Sequence, residues 1–230
     1  MKTIGLIGGM SWESSAEYYR IINEEIKTAL GGLHSAKCIL SSVDFEEIVQ
    51  CQASGNWEKA GQILAEAALG LEKAGAHFIM ICTNTMHKVV PIIEQSITIP
   101  ILHIADATAA EIKKKHIQKV ALLGTKYTME QDFYKNRLIE QGIEVIIPAE
   151  EEQLIEVNRV IFEELCLGDF QASSKQYYKE LIAQLIEAGA QGIIFGCTEI
   201  GLLIKPEEFD FPVFDTTIVH AKKAAEMALL

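Results

Sequence analysis

The chain has 230 residues, 49% of them apolar and few aromatic, which is the composition of a globular protein long enough for one large domain or two smaller ones. A formal net charge of -12 excludes a nucleic-acid or anionic-membrane surface, since those partners call for a patch of lysine and arginine, and leaves a small molecule as the expected partner. No apolar run reaches membrane-spanning length, and Met1-Lys2 leads straight into a short strand with no signal-peptide core, so the expected location is the cytoplasm.

Short apolar runs alternate with amphipathic stretches along the whole chain, the pattern of parallel sheets covered by helices. Strands are expected near 3–8, 38–43, 78–82 and 100–104, then near 119–124, 143–147, 192–196 and 212–215. The first helix opens with Ser14-x-x-Glu17, a capping-box pattern. Its apolar face is Tyr18, Ile21, Ile22 and Ile26, and it stops at Gly31-Gly32. A helix near 57–73 buries Ile63, Leu64, Ala67, Ala68 and Leu71. Lys113-Lys114-Lys115 closes a further helix, where basic residues suit the dipole. The second half repeats the pattern with a helix near 173–188 carrying Leu181, Leu185 and Ile186. Residues 217–230 form a last helix expected to return to the first domain.

The chain also repeats itself. Ala74-Gly75-Ala76, an apolar run and Cys82-Thr83-Asn84-Thr85 match Ala188-Gly189-Ala190, an apolar run and Gly196-Cys197-Thr198-Glu199 at a shift of 114. Ile4-Gly5-Leu6-Ile7-Gly8 matches Val120-Ala121-Leu122-Leu123-Gly124 at 116, and Pro100-Ile101-Leu102 matches Pro212-Val213-Phe214 at 112. The fold class is therefore α/β, with two pseudo-symmetric domains, each a mainly parallel sheet flanked by helices, and the active site in the cleft between them. Their expected extents are 1–116 plus 217–230, and 117–216. Ligands of such sheets gather at the carboxyl ends of the strands. There stand Gly8-Gly9-Met10-Ser11, Thr83-Asn84-Thr85, Thr125-Lys126 and Cys197-Thr198-Glu199.

Cys197 is the foremost chemical candidate, because it joins an apolar strand to a segment, 198–203, able to start a helix, and a helix N-terminus lowers a thiol pKa. The competing reading is a small buried hydrophobe, as most of Cys38, Cys51, Cys82, Cys166 and Cys197 are expected to be. Their odd number and lack of CxxC spacing indicate neither a disulfide framework nor a zinc site. Gly8-Gly9 lacks the full GxGxxG pattern of a dinucleotide site.

Gly-Cys-Thr-Glu at 196–199, Thr-Asn-Thr-Met-His at 83–87 and Ile-Gly-Leu-Ile-Gly-Gly-Met at 4–10 resemble the aspartate/glutamate racemase superfamily, over essentially the whole chain. The resemblance implies an isomerase that needs no cofactor, neither pyridoxal phosphate nor metal. It also implies a homodimer, and two cysteines flanking the substrate α-carbon, one removing the α-proton while the other returns one to the opposite face. Here the first cysteine is replaced by Thr83. Cys82 lies one residue too early, and a one-residue slip along a strand turns its sulfur to the other face, so Cys82 reads as structural.

An alcohol is a far weaker acid than a thiol, whose reference pKa is about 8.5, so Thr83 is not a resting base but can donate a proton. The asymmetric Thr83/Cys197 pair should therefore favour removal of a proton by Cys197, which the resemblance ties to the L enantiomer of aspartate or glutamate. Substrate binding is expected from Asn84, Thr85 and Thr198, with Met10, Ser11 and Gln52 added by the resemblance and Thr125 as the mirror of the first loop. The alternative for each is a polar residue satisfying local backbone. The resemblance also implies a basic residue near Cys166 for the distal carboxylate in some members; this chain has none there, and Lys126 or Lys175 are the stand-ins. His87 reads either as polarising the cleft or as packing. Other readings of the same scaffold are a single-cysteine decarboxylase, a maleate-type isomerase and a non-catalytic binding module.

Overall fold

A computed structural model describes residues 1–230. The chain divides into two compact units, Met1–Ile104 with Thr217–Leu230, and Ala105–Thr216. The division falls earlier than the boundary after residue 116 expected from the duplication. The helix Ile104–Lys114 goes with the second unit, where Asp106 accepts from the Arg137 guanidinium, Thr108 from Tyr134 and Gln141 from Lys113.

In the first unit, β1 (Ile4–Gly8) lies between β2 (Cys38–Ser42) and β3 (Phe78–Ile81), all parallel. Helix α1 (Trp12–Leu30) follows β1, and α2 (Phe45–Ala53) and α3 (Trp57–Lys73) lead to β3. A 3-10 turn, Thr85–Val89, and the single turn α4 (Val90–Ile93) follow it. Every residue of β1 and β3 is buried, as strands covered on both faces require. One core cluster gathers Ile7, Leu64, Ala68, Ile79 and Ile81, and another gathers Ile4, Leu6, Tyr18, Ile22, Met80 and Cys82 with Ala221, Ala224 and Ala228. The last three lie on the final helix, Thr216–Leu229, and tie the C-terminal segment to this unit.

Two expectations need correction here. The strand near 100–104 is reduced to one bridge, Ile79 with Ile101, because Leu102 makes the last ladder bond and the chain enters a helix at Ile104. The first helix is capped by Ser11, whose hydroxyl accepts from the Ser14 amide, and not by Ser14. The Ser14 hydroxyl instead donates to the Cys82 carbonyl at 3.0 Å, fastening the start of α1 to the end of β3. The glycine turn sets that start. Gly9 has φ +92, and a Cβ there would lie 2.2 Å from the Val43 carbonyl.

In the second unit, helix α5 (Ile104–Lys114) precedes β4 (Lys119–Gly124), which α6 (Lys126–Glu130), α7 (Asp132–Ile139) and β5 (Glu144–Ile146) follow. Next come α8 (Glu151–Glu163), α9 (Ala172–Glu187), β6 (Ile193–Gly196), the single turn α10 (Ile200–Leu203) and β7 (Val213–Asp215), before the final helix α11 (Thr216–Leu229). The strand order β5-β4-β6-β7 reproduces β2-β1-β3 and the Ile101 bridge, so each unit has the same wiring. The register agrees as well. Gly124 pairs with Gly196, and a Cβ on Gly124 would come within 2.8 Å of the Gly196 carbonyl. Ile7 pairs with Ile81, which sets Gly8 beside Cys82 as Gly124 is set beside Gly196.

His220 on α11 is completely buried. It accepts from the Tyr18 hydroxyl at Nδ1 (3.1 Å) and donates from Nε2 to the Leu102 carbonyl (2.8 Å), an arrangement that suits a neutral ring. Desolvation lowers its pKa from 6.5 to about 4, outweighing the carbonyl, which favours the charged form. A depressed histidine costs nothing while both folded and unfolded rings are neutral, and takes stability away once the unfolded ring protonates. Its contribution should therefore be flat above the unfolded value and fall as pH drops toward 4, by about 3 kcal/mol in all. In urea unfolding at about pH 7 and about pH 5, His220→Gln should lose about 2 kcal/mol less than wild type between the two conditions. Equal losses would remove this histidine from the account.

Candidate active site

Each unit presents its reactive groups at the carboxyl end of its own sheet. In the first, β3 ends at Ile81 and the chain bends through Cys82, Thr83 and Asn84 into the 3-10 turn. Cys82 is fully buried in the cluster with Leu6, Tyr18 and Met80, and burial drives its thiol pKa far up. The next side chain, Thr83, is partly exposed. Cys82 thus keeps to the face of β3 that buries Met80, and Thr83 is the more exposed of the two.

His87 shapes this turn. Its Nδ1–H donates to the Thr83 carbonyl at 2.8 Å and its Nε2 accepts from the Ile104 amide at 3.2 Å, which fixes a neutral Nδ1–H tautomer. Of its two sequence readings, packing is the one the ring fulfils, with both nitrogens committed to backbone and the ring buried against His103.

The other first-unit candidates converge on the same end of the sheet. Asn84 and Thr85 are buried at the start of the 3-10 turn. Gln52, near the end of α2, donates to the Met86 sulfur at 3.2 Å. Met10 is buried in the cluster that holds Met86, Ile48 and Cys51. Ser11 is occupied as the cap of α1, and its carbonyl accepts from Ser15, whose oxygen in turn accepts from the Gly9 amide. The first loop is therefore a closed set of local bonds as well as a candidate binding loop.

In the second unit, Thr125 and Cys197 follow the paired glycines 124 and 196 and so stand on adjacent strands. Thr125 caps α6, accepting from the Thr128 amide at 3.3 Å. The two stand-ins for a distal-carboxylate cation are already engaged. Lys126 pairs with Glu130 (3.7 Å) and Glu151 (3.5 Å), and Lys175 with Glu208 (2.7 Å). Neither is a free cation, because these surface positions are ringed by the acidic residues that give the chain its charge.

Cys197 lies over an apolar floor that includes Leu165, Tyr178, Ile200 and Leu203. Its Sγ–H donates to Glu199 Oε2 at 3.0 Å, and the Thr198 hydroxyl donates to the same oxygen at 2.6 Å. Desolvation, then the Glu199 charge, raise the thiol pKa well above its usual value. That reverses the expected lowering by a helix N-terminus. The helix it precedes is a single turn starting at Ile200, and a buried carboxylate two residues away outweighs so short a dipole. At rest the sulfur is a thiol, with a proton acceptor already in hydrogen-bond contact.

Glu199 is the residue that sequence reasoning failed to single out, although it stood in the quoted Gly-Cys-Thr-Glu motif. The 114-residue shift held the signal. It sets Thr85 opposite Glu199, so carboxylate and thiol are present together in one half and absent together from the other. Asp215 is a second missed carboxylate. It is buried at the end of β7, and Gly201 leaves it room, since a Cβ there would lie 2.2 Å from its Oδ2.

No helix is long and apolar enough to cross a membrane. Comparison with known proteins agrees with the chemistry. The model of the Asp/Glu/hydantoin racemase family matches residues 7–224. A crystal structure from Yersinia pestis assigned to the Asp/Glu racemases is 56% identical, with a TM-score of 0.93 and full coverage of both chains. An aspartate racemase homologue from Pyrococcus horikoshii OT3 is 39% identical, with a TM-score of 0.87 over all of both chains. The broad-specificity amino-acid racemase RacX of Bacillus subtilis is 28% identical over 169 residues, 72% of this chain and 71% of that protein. An arylmalonate decarboxylase variant, 14% identical over 99% of this chain and 93% of that one with a TM-score of 0.53, shares the fold alone. With two like-wired α/β units and a thiol–carboxylate pair at one strand end, the chain belongs to the Asp/Glu/hydantoin racemase family and is an isomerase.

Proposed function

We propose that this protein racemises L-aspartate or L-glutamate in the cytoplasm, as a homodimer and without pyridoxal phosphate. One substrate α-carbon is met by Cys197 from one side and by the Thr83 hydroxyl from the other. The observation that carries the reading is the equivalence of positions 83 and 197 in two like-wired units, with a thiol at one and an alcohol at the other. The relatives named for aspartate and for Asp/Glu racemisation support the substrate class. Five free cysteines suit a reducing compartment.

Turnover begins with the proton of Cys197. Glu199 accepts it, the thiolate takes the α-proton of the L enantiomer, and the carbanion is protonated on its other face by Thr83 or by water that Thr83 holds. Asn84, Thr85 and Thr198 bind the α-carboxylate, with Met10, Ser11, Gln52 and Thr125 completing the surround. Because the alcohol must part with a proton it holds strongly, return of solvent hydrogen to the L face should be faster than delivery to the D face.

In deuterium oxide, L-aspartate and L-glutamate should acquire α-deuterium faster than D product appears, with maleate unchanged. Cys197→Ser should lower both rates by about 10²–10⁴-fold, and Thr83→Cys should raise D formation. The two enantiomers have equal free energy, so kcat/KM must be equal in both directions. Unequal kcat with equal KM would refute simple racemisation, and loss of exchange without the thiol is required for the Cys197 role.

The raised thiol pKa also gives a pH dependence. With Glu199 present, kcat/KM should still be climbing above about pH 8.5, where an ordinary thiol would be half ionised. Glu199→Gln removes both the negative charge and the proton acceptor. Alkylation of Cys197 should then titrate at lower pH while turnover near neutrality falls by about 10²-fold. A variant with unchanged alkylation and full activity would exclude this carboxylate from the mechanism.

A further inference from the structure

A dicarboxylic substrate brings a second negative charge, for which Lys126 and Lys175 are poor partners because glutamates already hold them. The first unit offers a cation that no glutamate holds. Of its basic residues, Arg20, Lys59, Lys222 and Lys223 pair with carboxylates. Lys2 and Lys37 precede β1 and β2, and Lys27 and Lys73 end α1 and α3. All four therefore stand at the amino edge of the parallel sheet, away from the strand ends where the candidate residues gather. Lys88 alone stands at the carboxyl end without a carboxylate partner.

Lys88 belongs to the 3-10 turn Thr85–Val89 that leads the chain out of β3. Side chains three residues apart eclipse in such a turn, so Lys88 shares the face of Thr85, about 6 Å further along. With Thr85 assigned to the α-carboxylate, one face presents a hydroxyl and then an ammonium. The ammonium is also held in place. Its Nζ sits over the Trp57 ring, 3.8 Å from the centroid. Trp57 opens α3, and since α3 ends at Lys73 on the amino edge, its start lies at the carboxyl end of the sheet. Gln52, on the other side of the short turn joining α2 to α3, donates to the Met86 sulfur and so fastens this region to the turn that carries Lys88.

An aromatic face attracts a cation through its quadrupole but has no net charge to balance it. Partial burial withdraws water from the Lys88 ammonium and lowers its pKa, so the cation is short of both solvent and counter-ion. A lysine ordinarily loses rotamer freedom when it takes an anion; Trp57 has already fixed this one, which reduces the cost before a ligand arrives. Neighbouring acids do not compete. Glu58, next to Trp57, accepts from Gln62 at 3.1 Å, and Glu47 holds Lys59.

Building on the racemase reading, we propose that Lys88, braced on Trp57, receives the side-chain carboxylate of the substrate and selects dicarboxylic amino acids over their amides. The charge missing near Cys166 is thereby supplied from the first unit.

Lys88→Met keeps an unbranched chain to cover Trp57 and removes the charge. Measured by α-deuterium exchange, KM for L-aspartate and L-glutamate should rise about 10- to 100-fold with kcat little changed, and Lys88→Arg should lose far less. Labelling of the unaltered protein decides the matter if the variant fails to fold. Brief treatment with acetic anhydride, read by peptide mass, should modify Lys88 more slowly when L-aspartate is present. Lys73 should be modified at the same rate throughout, and L-asparagine should give Lys88 no protection. An unchanged KM in folded Lys88→Met, a loss confined to kcat, or equal labelling of Lys88 with and without L-aspartate overturns the proposal. Exchange by wild type, measured in parallel, separates the two readings. Protection of Lys88 without α-exchange refutes racemisation and leaves the carboxylate site, whereas α-exchange without protection does the reverse.

Discussion

The hydrogen bond from the Cys197 thiol to Glu199 governs the rest of the chemistry. A thiol over an apolar floor and beside a negative charge will not ionise by itself, because both influences favour the neutral form. The same carboxylate that holds the proton on sulfur is the nearest group able to receive it. On the proposed mechanism the base forms only when the proton has moved to Glu199, which would protect it at rest from solvent and oxidant, since the reactive species in both cases is the thiolate. For the proposed amino-acid substrate the ammonium group would be the trigger, because a positive charge near the sulfur stabilises the thiolate that Glu199 disfavours.

The two halves have diverged at linked positions. Thr83 stands where the other half has Cys197, and Thr85 where it has Glu199, while the wiring of the sheets and the glycine-adjacent register are the same. A carboxylate kept beside an alcohol would serve little purpose, since the alcohol does not ionise in the working range. Its loss along with the thiol is consistent with the proposed change from base to proton donor at position 83. Beside Thr83, both His87 nitrogens hold backbone, the Thr83 carbonyl and the Ile104 amide.

Much of this was legible in the sequence, and the exceptions have physical causes. The inner strands β1, β3 and β6 announced themselves as apolar runs buried on both faces. The run at 100–104 misled because apolar character persists into Ile104, which starts a helix. Ser14-x-x-Glu17 has the stronger capping pattern, yet the glycine turn at Gly9 starts the helix three residues sooner and leaves Ser14 to bond across to β3. Strand alternation, which depends only on covalent geometry, put Cys82 on the face of Met80, where the structure buries it. The direction of the Cys197 pKa was not separable in that way. It depends on how long the following helix is and where the Glu199 carboxylate points, and both are set by tertiary packing.

On the proposed mechanism, pairing an alcohol with a thiol has a consequence that equal energies of the two enantiomers make strict. If Thr83 gives its proton to the carbanion, the step that forms D product also forms an alkoxide, and the reverse step must begin from one. The penalty is therefore the same in both directions, and no asymmetry of the pair can pull the equilibrium toward either hand. What the asymmetry can set is which face exchanges quickly and how long the carbanion waits for its second proton. Relieving the alkoxide requires water or a neighbouring donor to reprotonate the hydroxyl within the catalytic cycle. Thr83 is partly exposed, in contrast to the sealed Cys82 beside it, as a hydroxyl reprotonated by water in the proposed cycle has to be.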